Sequence, residues 1–368
     1  MSSIPDENPK NAEMPDDHEH RQEQTSLYGG QAIIEGVMMK GPERTVAAVR
    51  NPQGKIVHKI LREGQDEKKR NFWYKTPFLR GFLILIDSLS VGYQALMFSG
   101  EVADPEGKPR NPLIENVMII ISLIIALSIF KFIPVVTAKW ILGSTPSQAE
   151  ATGGDLLGFS VLWSFVEGII KAGVLVGYIL SIRLMSDVRR VFQYHGSEHK
   201  TINAYEAGSD LSLDDVMRYP TFHPRCGTSF LFAVILFSLI FAVLFPLITW
   251  WLLGNPLAAM HIGIRFGLHI IFLPIIAAFG YEFIRMTAKL DPGGAFMRIL
   301  TYPGRLFQMI TALEPDRDMV EVALVSMHLA MGLKFPDALS AASSAYIPPG
   351  SDSPAPGQDK PEPDEIPV

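Results

Sequence analysis

Long uninterrupted apolar runs dominate the chain and fall in four places. A helix that crosses a bilayer needs about 20 mostly apolar residues. Residues 113–130, 156–182, 229–253 and 262–283 meet that requirement. Lys131 stands at the end of the first run, where its stem can snorkel toward the interface. Trp250 and Trp251 close the third, as an interfacial belt would. The second run carries Glu167 and Lys171, and the fourth carries Arg265 and His269. Four such runs in one chain point to a membrane protein rather than to buried helices of a soluble one. A fifth stretch, residues 77–98, is similar in length but includes Arg80 and Asp87. It is expected to be an amphipathic or re-entrant helix on the cytoplasmic face.

The remaining patterns are short. Two β-like runs in residues 45–62 flank Asn51-Pro52-Gln53-Gly54, a hairpin signal. Residues 29–39 predict a preceding strand with turns. Their glycines match neither Gly-x-Gly-x-x-Gly nor a P-loop, so no nucleotide site follows. Past the fourth span, Glu314-Pro315-Asp316-Arg317-Asp318 leads into a helix through Glu321. The expected fold is therefore a mainly α membrane protein. It has about four transmembrane helices, one amphipathic or re-entrant helix and a small cytoplasmic N-terminal β element. The chain divides into a tail (1–26), a β-rich segment (27–76), the helix 77–98 and a four-span domain (113–283) containing a loop at 183–228. An α-rich segment (284–345) and a second tail (346–368) complete it.

Charge sharpens this picture. Charged residues are 19% of the chain, against about 25% in an average soluble domain, which suits the spans. The net charge of −6 belongs to the tails. Residues 1–26 carry −5 and the proline-rich residues 346–368 carry −4, too polar to order themselves, which leaves +3 for residues 27–345. No basic, nucleic-acid-binding domain is implied. An N-terminus without a basic stretch before an apolar run predicts no cleavable signal peptide. Lysines and arginines between the spans divide 25 to one side and two to the other. By the positive-inside rule the protein is a multi-pass protein of the inner (plasma) membrane. Both termini and the 183–228 loop face the cytoplasm. The single cysteine, Cys226, then lies in a reducing compartment and builds no disulfide framework.

Chemistry concentrates in the loop after the second span. His195 and His199 are four residues apart, so on a helix they share a face and can bind one metal. Glu198 completes His-x-x-Glu-His, the inverted zincin pattern, in which the glutamate is the general base. Three of the nine histidines, 195, 199 and 223, fall in this loop. His223, Cys226 and Glu206 are the candidates to complete the metal shell. The nitrogen and sulfur donors suit zinc best. Glu206 shares the helical face but lies roughly 10 Å beyond His199, too far unless the helix breaks. Against the metal reading, the histidines would be surface residues of a polar helix, and Cys226 a small buried apolar group. Arg225 could pair with a carboxylate or an anionic substrate group. Glu35 is expected either as an edge-strand carboxylate facing water or as one directed at the membrane-proximal site. Glu314 is expected to favour its helix dipole, with a metal site the minority reading. Glu167 and Lys171, at i and i+4, are expected to pair within the membrane, structurally or functionally.

Four motifs in order carry a resemblance. They are Gly29-Gly-Gln-Ala-Ile-Ile-Glu-Gly-Val-Met-Met-Lys-Gly-Pro42, His195-Gly-Ser-Glu-His-Lys-Thr-Ile-Asn-Ala-Tyr-Glu206, His223-Pro-Arg-Cys-Gly-Thr-Ser229, and Glu314-Pro-Asp316 followed by Glu321-Val-Ala. Together they resemble the YqhQ-like family of bacterial multi-pass membrane proteins, across roughly residues 28–330. The resemblance implies a metal-dependent enzyme and names no reaction. The residues before Glu314, Ile310-Thr311-Ala312-Leu313, depart from the expected second threonine and basic residue.

Two functions are expected from these features. The first is a zinc-dependent hydrolase at the cytoplasmic membrane face, with Glu198 as base and a lipid-linked molecule or membrane peptide as substrate. The alternative is a non-enzymatic transporter or assembly protein, with Glu167, Lys171, Arg265 and His269 along a polar path. The oligomeric state is left open.

Overall fold

The computed structural model describes residues 28–64, 72, 76, 79–105, 112–146, 148, 155–224, 226–254, 262–287, 295–333 and 343–345. Both tails, Arg225 and residues 288–294 lie outside the described residues.

The N-terminal strands β1 (Gly29–Ile33), β2 (Gly36–Lys40), β3 (Arg44–Arg50) and β4 (Ile56–Glu63) form an antiparallel meander. Asn51–Gly54 makes the expected turn: the Asn51 amide and side chain both engage Lys55, and Gly54 adopts a left-handed φ of +80°. Residues 29–39 form two strands rather than one, folded at Ile34-Glu35. A short strand, β5 (Ser343–Ala345), adds parallel to β4.

Both faces of the sheet are covered. Val37, Met39, Val46 and Ala48 pack against α4 (Ser186–Glu206) and α9 (Arg317–Ala330). Met38, Ala47 and Val49 point the other way, onto α1 (Leu79–Ala103). Coverage on both sides explains why β2 and β3 read as continuous apolar runs rather than as alternation. Ser326 of α9 stitches two strands to the helix: its hydroxyl accepts from the Met39 amide and donates to the Val46 carbonyl.

The long helices are α2 (Pro112–Leu142), α3 (Leu156–Ile182), α6 (Gly227–Leu253) and α7 (Ile262–Thr287). Short α5 (Leu213–Val216) and amphipathic α8 (Ala295–Thr311) lie outside this group. Among the described residues, four helical stretches are long and apolar enough to cross a membrane: Arg80–Ala103, Ile120–Leu142, Leu156–Ile182 and Ala233–Leu253. Two of them differ from the sequence expectation, and the expected span at residues 262–283, although helical as α7, is not among the four. The first apolar run does not end at Phe130 but continues as helix to Leu142, since residues 132–142 are again mostly apolar, and Lys131 meets Glu167 at 3.4 Å.

The second difference concerns α1, expected as an amphipathic or re-entrant helix. It is long and apolar enough to span, yet Val91, Ala95, Phe98 and Val102 seat its C-terminal half on the sheet. Its first turn is tied to the end of α7, where Arg80 makes paired hydrogen bonds to Glu282 (2.7 and 2.5 Å). Glu167 of α3 is 2% exposed and held by Lys171 (2.8 Å), Lys131 and the Trp163 indole N–H (3.0 Å). The expected Glu167–Lys171 pair is thus part of a four-membered network joining α2 to α3.

Candidate metal centre

Helix α4 follows α3 after a three-residue link and carries the polar motif into the protein interior. Ser197, Glu198, His199, Lys200 and Thr201 are five consecutive polar residues, all buried. Buried polar groups require partners, and each of these has one. Ser197 and Thr201 donate to carbonyls of their own helix. Lys200 donates to the Met217 and Tyr219 carbonyls and pairs with Glu314 (2.7 Å). Glu314 is therefore an exposed counter-charge to Lys200, apart from the histidines.

His195 and His199 share the predicted face, with ring centroids 4.3 Å apart. His195 Nδ1 lies 2.8 Å from the Thr311 carbonyl oxygen, and His199 Nδ1 lies 2.5 Å from the Thr221 carbonyl oxygen. A carbonyl can only accept, so both Nδ1 atoms carry hydrogen, which leaves Nε2 as the ring atom that could bind a metal. His195 Nε2 lies 3.1 Å from Cys226 Sγ. His199 Nε2 is buried without a hydrogen-bond partner. One ligand atom each from His195, His199 and Cys226 lies within 4.8 Å of the others. Nitrogen and sulfur on one tetrahedral zinc ion, at about 2.0 and 2.3 Å from it, lie about 3.5 Å apart, so side-chain movements on the order of 1 Å would close such a shell.

The outer features suit a metal as well. Each histidine is oriented by a carbonyl on its second nitrogen, as metal-ligating histidines usually are. Burial pushes the His199 pKa down, outweighing nearby Cys226, so its ring is neutral near pH 7. Two histidines and one thiolate would leave a position open, the arrangement of catalytic rather than structural zinc.

Not every expected ligand joins this group. Helix α4 runs unbroken through Glu206, which keeps that carboxylate away, as the helical rise requires. Glu206 instead meets His223 Nε2 at 3.4 Å. The His223 ring is 5.7 Å from that of His199, and its backbone is clamped by both ends of the Gln308 amide.

Glu198 is 5% exposed and lines a cavity of about 360 Å³ beside His195 and Cys226. Burial raises its pKa, opposed by His195, His223 and a hydrogen bond from the Gly30 amide. A carboxyl poised upward suits a general base or acid near neutral pH. Gly30 has no room for a side chain, since a Cβ there would sit 2.8 Å from Glu198 Cγ.

Glu35 is neither solvent-facing nor directed at this cluster. It occupies the β1–β2 turn with φ +50° and chelates Arg190 through two hydrogen bonds (2.5 and 2.6 Å), while Tyr194 OH donates to it at 3.3 Å. This clamp fixes α4 one turn before His195 and raises the Tyr194 pKa, chiefly through burial and then Glu35. Sequence reasoning missed Arg190, Tyr194, Gln308 and the two carbonyl-bearing threonines. It also missed Gly196, although a glycine inside a helix was a signal. A methyl there would overlap the Leu313 carbonyl oxygen.

A largely buried two-histidine, one-cysteine cluster beside a cavity lined by Glu198 is thus what the fold builds. The family described as protein of unknown function (DUF1385) matches residues 76–333, and the chain belongs to it. It is also 29% identical over 312 residues to the uncharacterized protein YqhQ of Bacillus subtilis (strain 168). That similarity covers 83% of this chain and 93% of the relative, so the chain is YqhQ-like. No solved structure matches.

Proposed function

We propose that the protein is a multi-pass membrane protein with a zinc-dependent hydrolytic centre on its cytoplasmic side. His195, His199 and Cys226 would hold the metal, and Glu198 would be the base. The observation that supports this most is the pair of histidines whose Nδ1–H groups are both spent on backbone carbonyls, with the buried Nε2 of His199 left unpartnered beside Cys226. Such an atom is costly to bury without a use. A bound zinc ion would supply a Lewis acid there. Glu198 would accept a proton from the attacking water and return it to the leaving group. The water oxygen bonds to the acyl carbon as the bond to the leaving group breaks. The basic loops support a cytoplasmic location for α4 and for both termini.

The test is metal analysis of purified full-length protein. About one zinc per chain is expected, lost in His195→Ala/His199→Ala; equal, sub-stoichiometric zinc in both proteins overturns the reading. The transport alternative draws on the Glu167 network and a cavity of about 200 Å³ beside Lys171. The burial of Glu167 among three partners favours a structural role instead.

A further inference from the structure

We infer that the cavity beside His195, Glu198 and Cys226 binds the uncharged apolar chain of a membrane-resident acyl ester or amide, taken from the cytoplasmic leaflet; this rests on the hydrolytic reading above.

The walls carry the argument. Ile179 and Ile182, three residues apart in the last turn of α3, form one side, and Val191, Phe192 and Phe307 form others. Ile182 directly precedes Arg183, the first basic residue after the apolar run, so this wall lies where hydrocarbon gives way to headgroups. Glu198 is the one charged side chain among the described lining residues. Among the described lining residues a phosphate or carboxylate would meet no lysine or arginine, and away from the metal end the walls are apolar, so an alkyl chain gains from burying its surface there.

Helix α8 gives a second, independent indication. Its inner side supplies Phe307 and Thr311 to the cavity, yet Tyr302, Leu306 and Met309 are exposed at i, i+4 and i+7 on its outside. An amphipathic helix that turns these apolar side chains outward, beside exposed Arg305, fits a position in the membrane interface. An extended peptide fits less well. The adjacent exposed strand end, Gly29–Gln31, has its Gly30 amide already engaged by Glu198, which removes a main-chain donor that strand addition would use. Hydrolysis of the acyl compound would consume one water and yield a carboxylic acid plus an alcohol or amine, with no further reactant.

Photolabelling of the full chain in phosphatidylcholine nanodiscs tests the inference. Three diazirine probes are compared: a neutral hexadecanoyl amide, a hexadecyl phosphate and an uncharged extended hexapeptide. The neutral amide is expected to label residues around 179–192 or 307. Ile182→Trp and Val191→Trp, which fill the cavity from separate walls, should each cut that labelling about tenfold or more. Labelling of exposed α2 residues should persist and reports that each variant is folded. Cavity labelling by the phosphate or the peptide in place of the amide overturns the inference, as does amide labelling that neither tryptophan reduces. Zinc is measured in the same samples. Zinc without amide labelling overturns this inference alone, whereas amide labelling without zinc overturns the metal reading and leaves the chain site standing.

Discussion

His195 Nε2 and Cys226 Sγ lie 3.1 Å apart although 31 residues separate them in the chain. Helix α4 delivers the histidine. The return loop, which also brings Thr221 and His223 back past α4, delivers the cysteine. The loop is held down by backbone contacts: Lys200 takes the Met217 and Tyr219 carbonyls, and Asn203 takes those of Pro220 and Phe222. The cluster therefore depends on a polar lacing that never touches the ligand atoms.

That relationship predicts the composition of the metal shell. Cobalt-loaded protein should show a thiolate-to-cobalt charge-transfer absorption. Cys226→Ser should abolish it, while His223→Gln and Glu206→Gln should retain it, because those two residues pair with each other. An absorption that survives loss of Cys226, or vanishes with His223, would contradict the three-residue shell.

Gly196 predicts a packing effect at the same place. A methyl group there would overlap the Leu313 carbonyl oxygen, part of a backbone segment that runs on from Thr311. That segment is backbone, so it cannot swing aside as a side chain can. Gly196→Ala should destabilise the protein by about 1–3 kcal/mol or more. It should also weaken zinc binding, because Thr311 orients His195. Gly177→Ala, with open space around its Cβ, should leave the melting temperature nearly unchanged or slightly raised. Thermal melts of both variants with zinc titration would check the contrast.

What could be read in the sequence follows from how local each feature is. The His195–Glu198–His199 face was legible because the helix alone brings i and i+4 together. The choice among His223, Cys226 and Glu206 was not, because it depends on where a twenty-residue loop returns. Lys131 misled for a similar reason: a lysine ending an apolar run looks the same whether it snorkels or meets a buried glutamate on the next helix. In α1 the spacing of Val91, Ala95, Phe98 and Val102 marked a face, but Ile86, Leu89, Tyr93 and Leu96 make the other side apolar and exposed too. Periodicity could not say which side meets the sheet. Glu35 needed the turn geometry itself, since its contact with Arg190, 155 positions away, is made from a left-handed residue between β1 and β2.

That turn yields a prediction of sign. Glu35 holds φ +50°, which costs a non-glycine residue roughly 1 kcal/mol. The Glu35–Arg190 pair is partly solvated, with side chains 27% and 41% exposed, so it contributes about 1 kcal/mol rather than the larger figure of a buried pair. Glu35→Ala loses the clamp and keeps the strain. Glu35→Gly loses the clamp and relieves it. The glycine variant should therefore melt above the alanine variant, with both below wild type. The reverse order would show that backbone strain is not what the turn carries.

The buried imidazoles make stability depend on pH in a definite direction. Burial lowers the pKa of His199, and of His223 against an opposing effect of Glu198, below the ordinary value of 6.5. In the unfolded chain these rings take up protons as the pH falls through about 6.5, while the folded rings remain neutral to lower pH. The unfolded state then binds more protons, so stability rises with pH across this window and is lost on acidification below about 6.5. Bound metal would steepen the loss, because ligation also requires the neutral ring. Melting temperatures of metal-free protein should fall from pH 7 to pH 5, and His223→Gln, which removes one of the two groups, should flatten the slope. Buried Glu198, whose pKa is raised, contributes with the opposite sign, so the slope is compared in Glu198→Gln as well; a melting temperature that stays constant or rises on acidification in that variant would show that the two rings do not remain neutral in the folded protein.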